Sequence, residues 1–152
     1  MKTKREETNN KTLHSALIRV IKAHRKNAHT QFSKISLTEG KPKILDFLEN
    51  NPGCSQRELA TYCRIEPATA TSILAGMEKE DLIFRERNIK DKRILNVFLT
   101  EKGKNAQKKV EKVFTELDNK CFDGFSEEEK NQTIHILNRL YDNLMKGEGD
   151  ID

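Results

Sequence analysis

The side chains with the sharpest chemical pattern in this chain lie in one charged turn, Asn88-Ile89-Lys90-Asp91-Lys92-Arg93. Two runs of strand type flank it, Ile83-Phe84-Arg85-Glu86-Arg87 and Ile94-Leu95-Asn96-Val97-Phe98-Leu99. A hairpin built from them puts the bases at an exposed tip. Asp91 stands two residues before Arg93, near enough to hold a guanidinium in one orientation. An Arg held in this way can enter a narrow minor groove of DNA, where the negative potential is enhanced. The plain alternative is an ordinary charged hairpin turn.

Other chemistry is less well supported by the spacing. His14, His24, His29 and His135 are scattered, and Cys54, Cys63 and Cys121 are far apart. A metal centre needs ligands that cluster, so neither a metal nor a cofactor is expected. Cys63 and Cys121 fall on apolar stripes and read as small core residues. Cys54 precedes a helix start, where a thiolate could be favoured. An odd number of cysteines without paired spacing fits a reducing compartment. Glu127-Glu128-Glu129 is a carboxylate run, but it falls in a helix's first turn, where acids complement the helix dipole. There is no Gly-rich phosphate loop, nucleophile elbow or His-Glu-x-x-His. An enzyme is not expected.

The elements that must position the charged turn begin at Ser55. Ser55 and Glu58 have the S-x-x-E spacing of a capping box, so a helix starts there. Leu59 and Cys63 then share a face, with Tyr62 beside them. Arg64 and Ile65 fall in a turn. Pro67 suits the first turn of a second helix, where its missing N–H costs nothing. Ala70, Ile73, Leu74 and Met77 follow at i, i+3, i+4, i+7 as a buried stripe. Thr69, Ser72, Ala75 and Gly76 lie largely on the other side, a small polar face that could approach DNA closely. Two short helices and a basic-tipped hairpin have the layout of a winged helix-turn-helix.

Helices flank this unit on both sides. From Thr12, the residues Leu13, Leu17, Val20, Ile21, His24 and Ala28 recur with helical spacing. Arg19, Lys22, Arg25 and Lys26 fill the rest, as a solvated face or as a field that draws DNA. Thr38 can cap the next helix, with Pro42 early in it and Ile44, Leu45, Phe47 and Leu48 on its core side. Asn50-Asn51-Pro52-Gly53 ends it. Thr100 starts a long helix carrying Ala106, Val110, Val113, Phe114, Leu117 and Cys121. After Asp123-Gly124, Ser126 and Glu129 repeat the capping-box spacing. Ile134, Leu137, Leu140, Tyr141 and Leu144 stripe the last helix. Residues 1–10 are polar and expected to fray.

Charge and composition bound the reading. Charged residues make up 34% and hydrophobic residues 35% of the 152, so a lone protomer has a thin core. Net charge is +4, unevenly spread: residues 1–34 hold 9 bases and 2 acids, and residues 122–152 hold 3 bases and 8 acids. Residues 52–99 are nearly balanced, with 8 against 7. DNA binding must therefore rest on where the charges sit. No run is apolar enough to span a membrane and no signal peptide opens the chain, so no membrane partner and a cytoplasmic location are expected.

With these residues in place, the chain resembles the MarR family of bacterial transcriptional regulators. The resemblance is carried by Leu37-Thr38, the run from Ser55 to Ala60, Met77-Glu78-Lys79, Leu82-Ile83, Arg85 and Asp91-Lys92-Arg93. It continues through Val97-Phe98-Leu99-Thr100-Glu101-Lys102-Gly103. The order of wing Asp-x-Arg, strand and Leu-Thr-x-x-Gly is its most specific part. The resemblance implies a mainly α fold with a small β-hairpin wing. Residues 1–36 would give an N-terminal dimerisation helix, 37–99 the DNA-binding region and 100–152 the C-terminal dimerisation helices, as one compact unit.

It also implies a homodimer on a pseudo-palindromic site, acting as a repressor and released by a small molecule bound between the dimer helices and the reading unit. Gln56 and Arg57 would meet phosphates. Ala68, Thr69, Thr71 and Ser72 would meet the major groove, unless Thr71 supports its own helix. Arg87, Lys90, Lys92 and Arg93 would serve the wing, with Asp91 orienting Arg93. Leu13, Leu17, Val20, Ile21, Val113, Leu117, Leu137, Tyr141 and Leu144 would form the dimer interface. Gly76 and Asp81 depart from the family pattern, which has a basic or polar residue at the first position and Gly at the second. The first departure puts one base contact in doubt, and the second alters only the cap. The other class of function compatible with this layout is a winged-helix protein-interaction module without specific DNA binding.

Overall fold

Thr12 starts the first helix in the computed structural model, which describes residues 12–38 and 40–147. The expected fraying of residues 1–10 and the acidic tail beyond Gly147 lie outside these. The Thr12 hydroxyl accepts from the Ser15 amide at 3.2 Å and opens α1, Leu13–Lys34. Its C-terminal part carries Phe32 into the core, edge-on to Phe114 at 5.2 Å between ring centroids. Leu37 follows into the same core.

Thr38 does not cap the next helix with its side chain. Helix α2, Lys41–Asn50, has Gly40 at its N-cap in the left-handed region, φ 83°, with no side-chain cap. The Thr38 carbonyl instead accepts from the Lys41 amide at 3.2 Å. A backbone turn closed through glycine has replaced the hydroxyl cap. Ile44, Leu45 and Leu48 face inward from α2.

The chain then forms β1, Cys54–Ser55, α3, Gln56–Cys63, α4, Pro67–Lys79, β2, Ile83–Arg87, β3, Leu95–Leu99, and α5, Glu101–Cys121. The sheet is antiparallel throughout, in the order β1-β3-β2. The spacing had given two strands; β1 is the third. It pairs Cys54 with Val97 and Ser55 with Asn96. A strand of two residues has no alternation to detect, which is why the sequence hides it. Leu59, Leu74, Met77, Ile83, Val97 and Val110 close the core around the α2 residues.

The end of α4 is fastened to the start of α5. Asp81 turns the chain with φ 59°, a conformation Asp tolerates better than most residues. The Thr100 hydroxyl donates to the Asp81 carbonyl at 2.5 Å, and the Thr100 amide donates to the Leu82 carbonyl at 3.1 Å. Lys102 Nζ donates to the Glu80 carbonyl at 2.8 Å. Gly103 packs so closely that an added Cβ would lie 1.9 Å from the Leu82 carbonyl oxygen.

Two compact units are divided between Leu117 and Asp118. The first holds everything described so far up to that point in α5. Val113 belongs to its core and Leu117 is buried within the chain, so neither is free to meet a partner as the family resemblance implied. Cys121, expected in a core, is exposed. In the second unit, Ser126 and Glu129 form the expected capping box at the start of α6, Glu127–Met145. Phe122 and Phe125 meet edge-on at 5.6 Å, and Lys130 Nζ lies 5.7 Å from the Phe122 centroid. No residue of α6 is buried. Ile134, Leu137, Tyr141 and Leu144 are exposed there, as Leu13, Val20 and Ile21 are on α1. No helix among the described residues is long and apolar enough to cross a membrane.

Candidate nucleic-acid interface

The first helix of the reading unit is fixed by its cap. Ser55 Oγ accepts from the Glu58 amide at 3.1 Å, and Glu58 Oε2 accepts from the Ser55 amide at 2.7 Å. The Ser55 backbone amide, first, and the Ser55 side chain, second, hold the Glu58 carboxyl below the usual carboxylate range. Arg64 ends α3 with φ 52°, and Ile65 donates to the Ala60 carbonyl at 2.9 Å. This turn swings Pro67 into the first position of α4.

Ala70, Leu74 and Met77 are the buried side of α4, and Ala68, Thr69 and Ser72 are exposed on it. Gly76 continues the Thr69 and Ser72 face, and a Cβ built on it would meet nothing within 4 Å. No packing among the described residues therefore demands glycine there.

Thr71 is tied into its own helix. Its hydroxyl donates to the Pro67 carbonyl at 3.0 Å and accepts from Gln56 Nε2 at 2.8 Å. Of the two roles open to Thr71, helix support is the one its bonds serve. Gln56 is likewise engaged, because its Oε1 also accepts from Arg85 Nη1 at 3.3 Å. It does not stand free for a phosphate, whereas neighbouring Arg57 is exposed. Arg85 is the residue the site reasoning missed. Its Nε and Nη2 donate to Glu78 Oε2 at 2.8 and 2.5 Å. These partners cross the turn from α4 to β2 and reach back to α3, so no local spacing rule reveals them.

The wing pairs Ile83 with Leu99 through to Arg87 with Leu95, leaving residues 88–94 as its tip. Asn88 Oδ1 accepts from the Lys90 and Asp91 amides at 2.9 and 3.1 Å. Arg87 Nη1 donates to the Lys92 carbonyl at 3.1 Å and braces the tip from its base. Asp91 Oδ1 accepts from the Arg93 amide at 3.0 Å and from its Nε at 3.1 Å, while Oδ2 accepts from Nη2 at 3.4 Å. The Arg93 side chain, first, and its amide, second, lower the Asp91 pKa. The guanidinium thus has a set orientation while its side chain stays 91% exposed. Lys90 and Lys92 are exposed beside it.

The three parts of the reading unit converge on one cleft of about 670 Å³. Gln56 and Arg57 from α3, Thr71 from α4 and Arg93 from the wing all line it. Near this cleft, burial, first, and then Glu58 push the Cys54 thiol up to about 11. The expected thiolate at this helix start is therefore corrected to a neutral thiol, because β1 draws Cys54 into the fold. Cys63 is buried and its pKa is also raised by burial, in keeping with a core residue. Among the described residues, no group of three His, Cys, Asp or Glu could hold a metal.

Comparison with known proteins agrees with this geometry. A model of the MarR family matches residues 37–94. The HTH-type transcriptional regulator BilQ of Clostridium symbiosum (strain WAL-14163) is 32% identical over 111 residues, 73% of this chain and 77% of that protein. The homoprotocatechuate degradative operon repressor of Escherichia coli is 28% identical over 133 residues, 82% and 87% of the two chains. Among solved structures, the transcriptional repressor CouR bound to a 23-mer DNA duplex superposes with a TM-score of 0.81 at 22% identity, over 93% of this chain and 99% of that one. The capped first helix and its partner, the braced wing and a relative matched over most of both chains lead to one assignment: the chain belongs to the MarR family of transcriptional regulators.

Proposed function

We propose that the chain is a repressor that reads a pseudo-palindromic operator as a homodimer and is released by a small-molecule effector. In this reading α4 enters the major groove, with Ala68, Thr69 and Ser72 toward base edges. Arg57 meets a phosphate, Arg93 enters the adjacent minor groove, and Lys90 and Lys92 flank it on the backbone. Arg87 braces the wing tip. The observation that carries the reading is Arg93 itself, which is 91% exposed yet held on Asp91. The names of the relatives favour repression, and the CouR structure carries a duplex. A second copy would cover the exposed Leu13, Val20 and Ile21 of α1 and the exposed Leu137, Tyr141 and Leu144 of α6. Leu17 is half-buried and would sit at the edge of such an interface. Effector release rests on the family resemblance.

Selection of bound duplexes from a random pool tests the reading. No Arg lies between Pro67 and Met77, and Arg on guanine is the commonest specific contact. Thymine methyls and groove shape then weigh more. An A·T-rich palindrome is expected, with half-site centres about 10 base pairs apart. G·C-rich half-sites would contradict the argument. The absence of any salt-sensitive duplex binding would favour the protein-interaction module instead.

A further inference from the structure

We propose that Arg85, acting through Glu78 and Gln56, is a positioning residue that sets the angle of α4 and so sets discrimination between operator and other DNA without touching either. The proposal rests on the DNA-reading assignment above. Arg85 lies on β2, and its side chain is 18% exposed. Its planar fork grips Glu78 in the last part of α4 with two N–H groups. A third N–H reaches Gln56 at the start of α3, and Gln56 passes the connection to Thr71 in the first part of α4. Helix α4 is thus held at Thr71 and Glu78, two helical turns apart on one face, by a single chain of hydrogen bonds anchored in the wing strand.

The core does not duplicate this restraint. Ala70, Leu74 and Met77 seat α4 by apolar burial, which is non-directional. Hydrogen bonds to a rigid guanidinium are directional, and a lysine cannot reproduce the fork. Base edges are read within hydrogen-bond reach, so a small tilt of α4 costs base contacts first. Attraction to phosphates depends on charge count and tolerates the same tilt.

The test measures affinity for the selected operator and for a scrambled duplex across a salt series, with circular dichroism and thermal melting as folding controls. Arg85→Ala is expected to stay folded and lose about 10-fold in operator affinity, the scale of one misread base pair. Binding to the scrambled duplex and the salt slope should stay as in the wild type. Arg85→Lys should fail almost as badly as Ala, because it keeps the charge and loses the fork. Glu78→Ala keeps Arg85 and removes its acceptor on α4, and should show the same loss of discrimination, which guards against misfolding of the Arg85 variants. Full activity of Arg85→Lys, or a slope shallower by about one in Arg85→Ala, would mean a direct phosphate contact and overturn the proposal. Equal losses on both duplexes, or unchanged discrimination in folded Arg85→Ala and Glu78→Ala, would overturn it too. A wild-type protein that binds no duplex sinks both the DNA-reading assignment and the clamp; where the wild type binds, the variants decide the clamp alone.

Discussion

Arg93 and Asp91 show how much a spacing of two residues can specify. The Asp-x-Arg pattern gave the pairing, and three hydrogen bonds realise it in the structure. If Arg93 reads the groove, Arg93→Ala should leave the fold intact, lower operator affinity by roughly 1–3 kcal/mol and flatten the salt slope by about one. Asp91→Ala should show a weaker form of the same defect. Because Arg93 depresses the Asp91 pKa, Asp91 supports the wing above the ordinary carboxylate range and loses that role only as pH falls through its lowered folded value. Operator titrations at several salt concentrations, repeated from pH 5 to 8, would check both points, and the Asp91 contribution should stay flat across that window. The cysteines make a second residue-level case. Cys54 titrates near 11, so its thiolate is scarce until strongly alkaline pH. Alkylation of the native protein at pH 8 should mark exposed Cys121 first and spare Cys54 and Cys63 until unfolding, as peptide mass spectrometry would show. The local pairs could be read from the chain. Gln56 and Arg85 could not, because 29 positions separate them and only the fold brings them together.

Elements were legible where a cap or a stripe announced them. Both S-x-x-E boxes form, and Pro67 opens α4 as its fixed φ requires. The start of α2 was misread because a hydroxyl at Thr38 looked sufficient, while the chain closes that turn through backbone and Gly40. β1 was missed because two residues paired across a sheet leave no periodic trace. The Leu-Thr-x-x-Gly run has a physical cause in the junction of α4, β2 and α5. Thr100 ties down Asp81, and Gly103 lets α5 approach the Leu82 carbonyl. Gly103→Ala should therefore destabilise the fold by about 1–3 kcal/mol, the cost of overpacking where backbone must move. Gly76→Ala, which meets open space, should instead be neutral or stabilising by up to about 1 kcal/mol. Urea melts of the two variants side by side would separate them.

At the scale of the whole molecule, the composition pointed to a thin core, and α6 without a single buried residue gives that a location. Such a helix is marginal alone in water and gains stability by packing its apolar face. If a second copy covers it, Leu137→Glu with Tyr141→Glu should shift the protein toward monomer in sedimentation velocity, with operator affinity lost in parallel because two half-sites need two reading units. A dimer unaffected by that pair of charges would move the interface elsewhere. The family resemblance implied this role for Val113 and Leu117 too; an apolar stripe does not say what covers it, and the chain itself covers both. The open space at Gly76 bears on how such a regulator can change over generations. A side chain there would start from open space on the Thr69 and Ser72 face, while removing glycine from mid-helix. Most routes to a new recognition code weaken the scaffold that carries it. If α4 reads DNA as proposed, position 76 would let a new target be acquired without that cost, and it would be the natural place for operator preference to drift or to be redesigned.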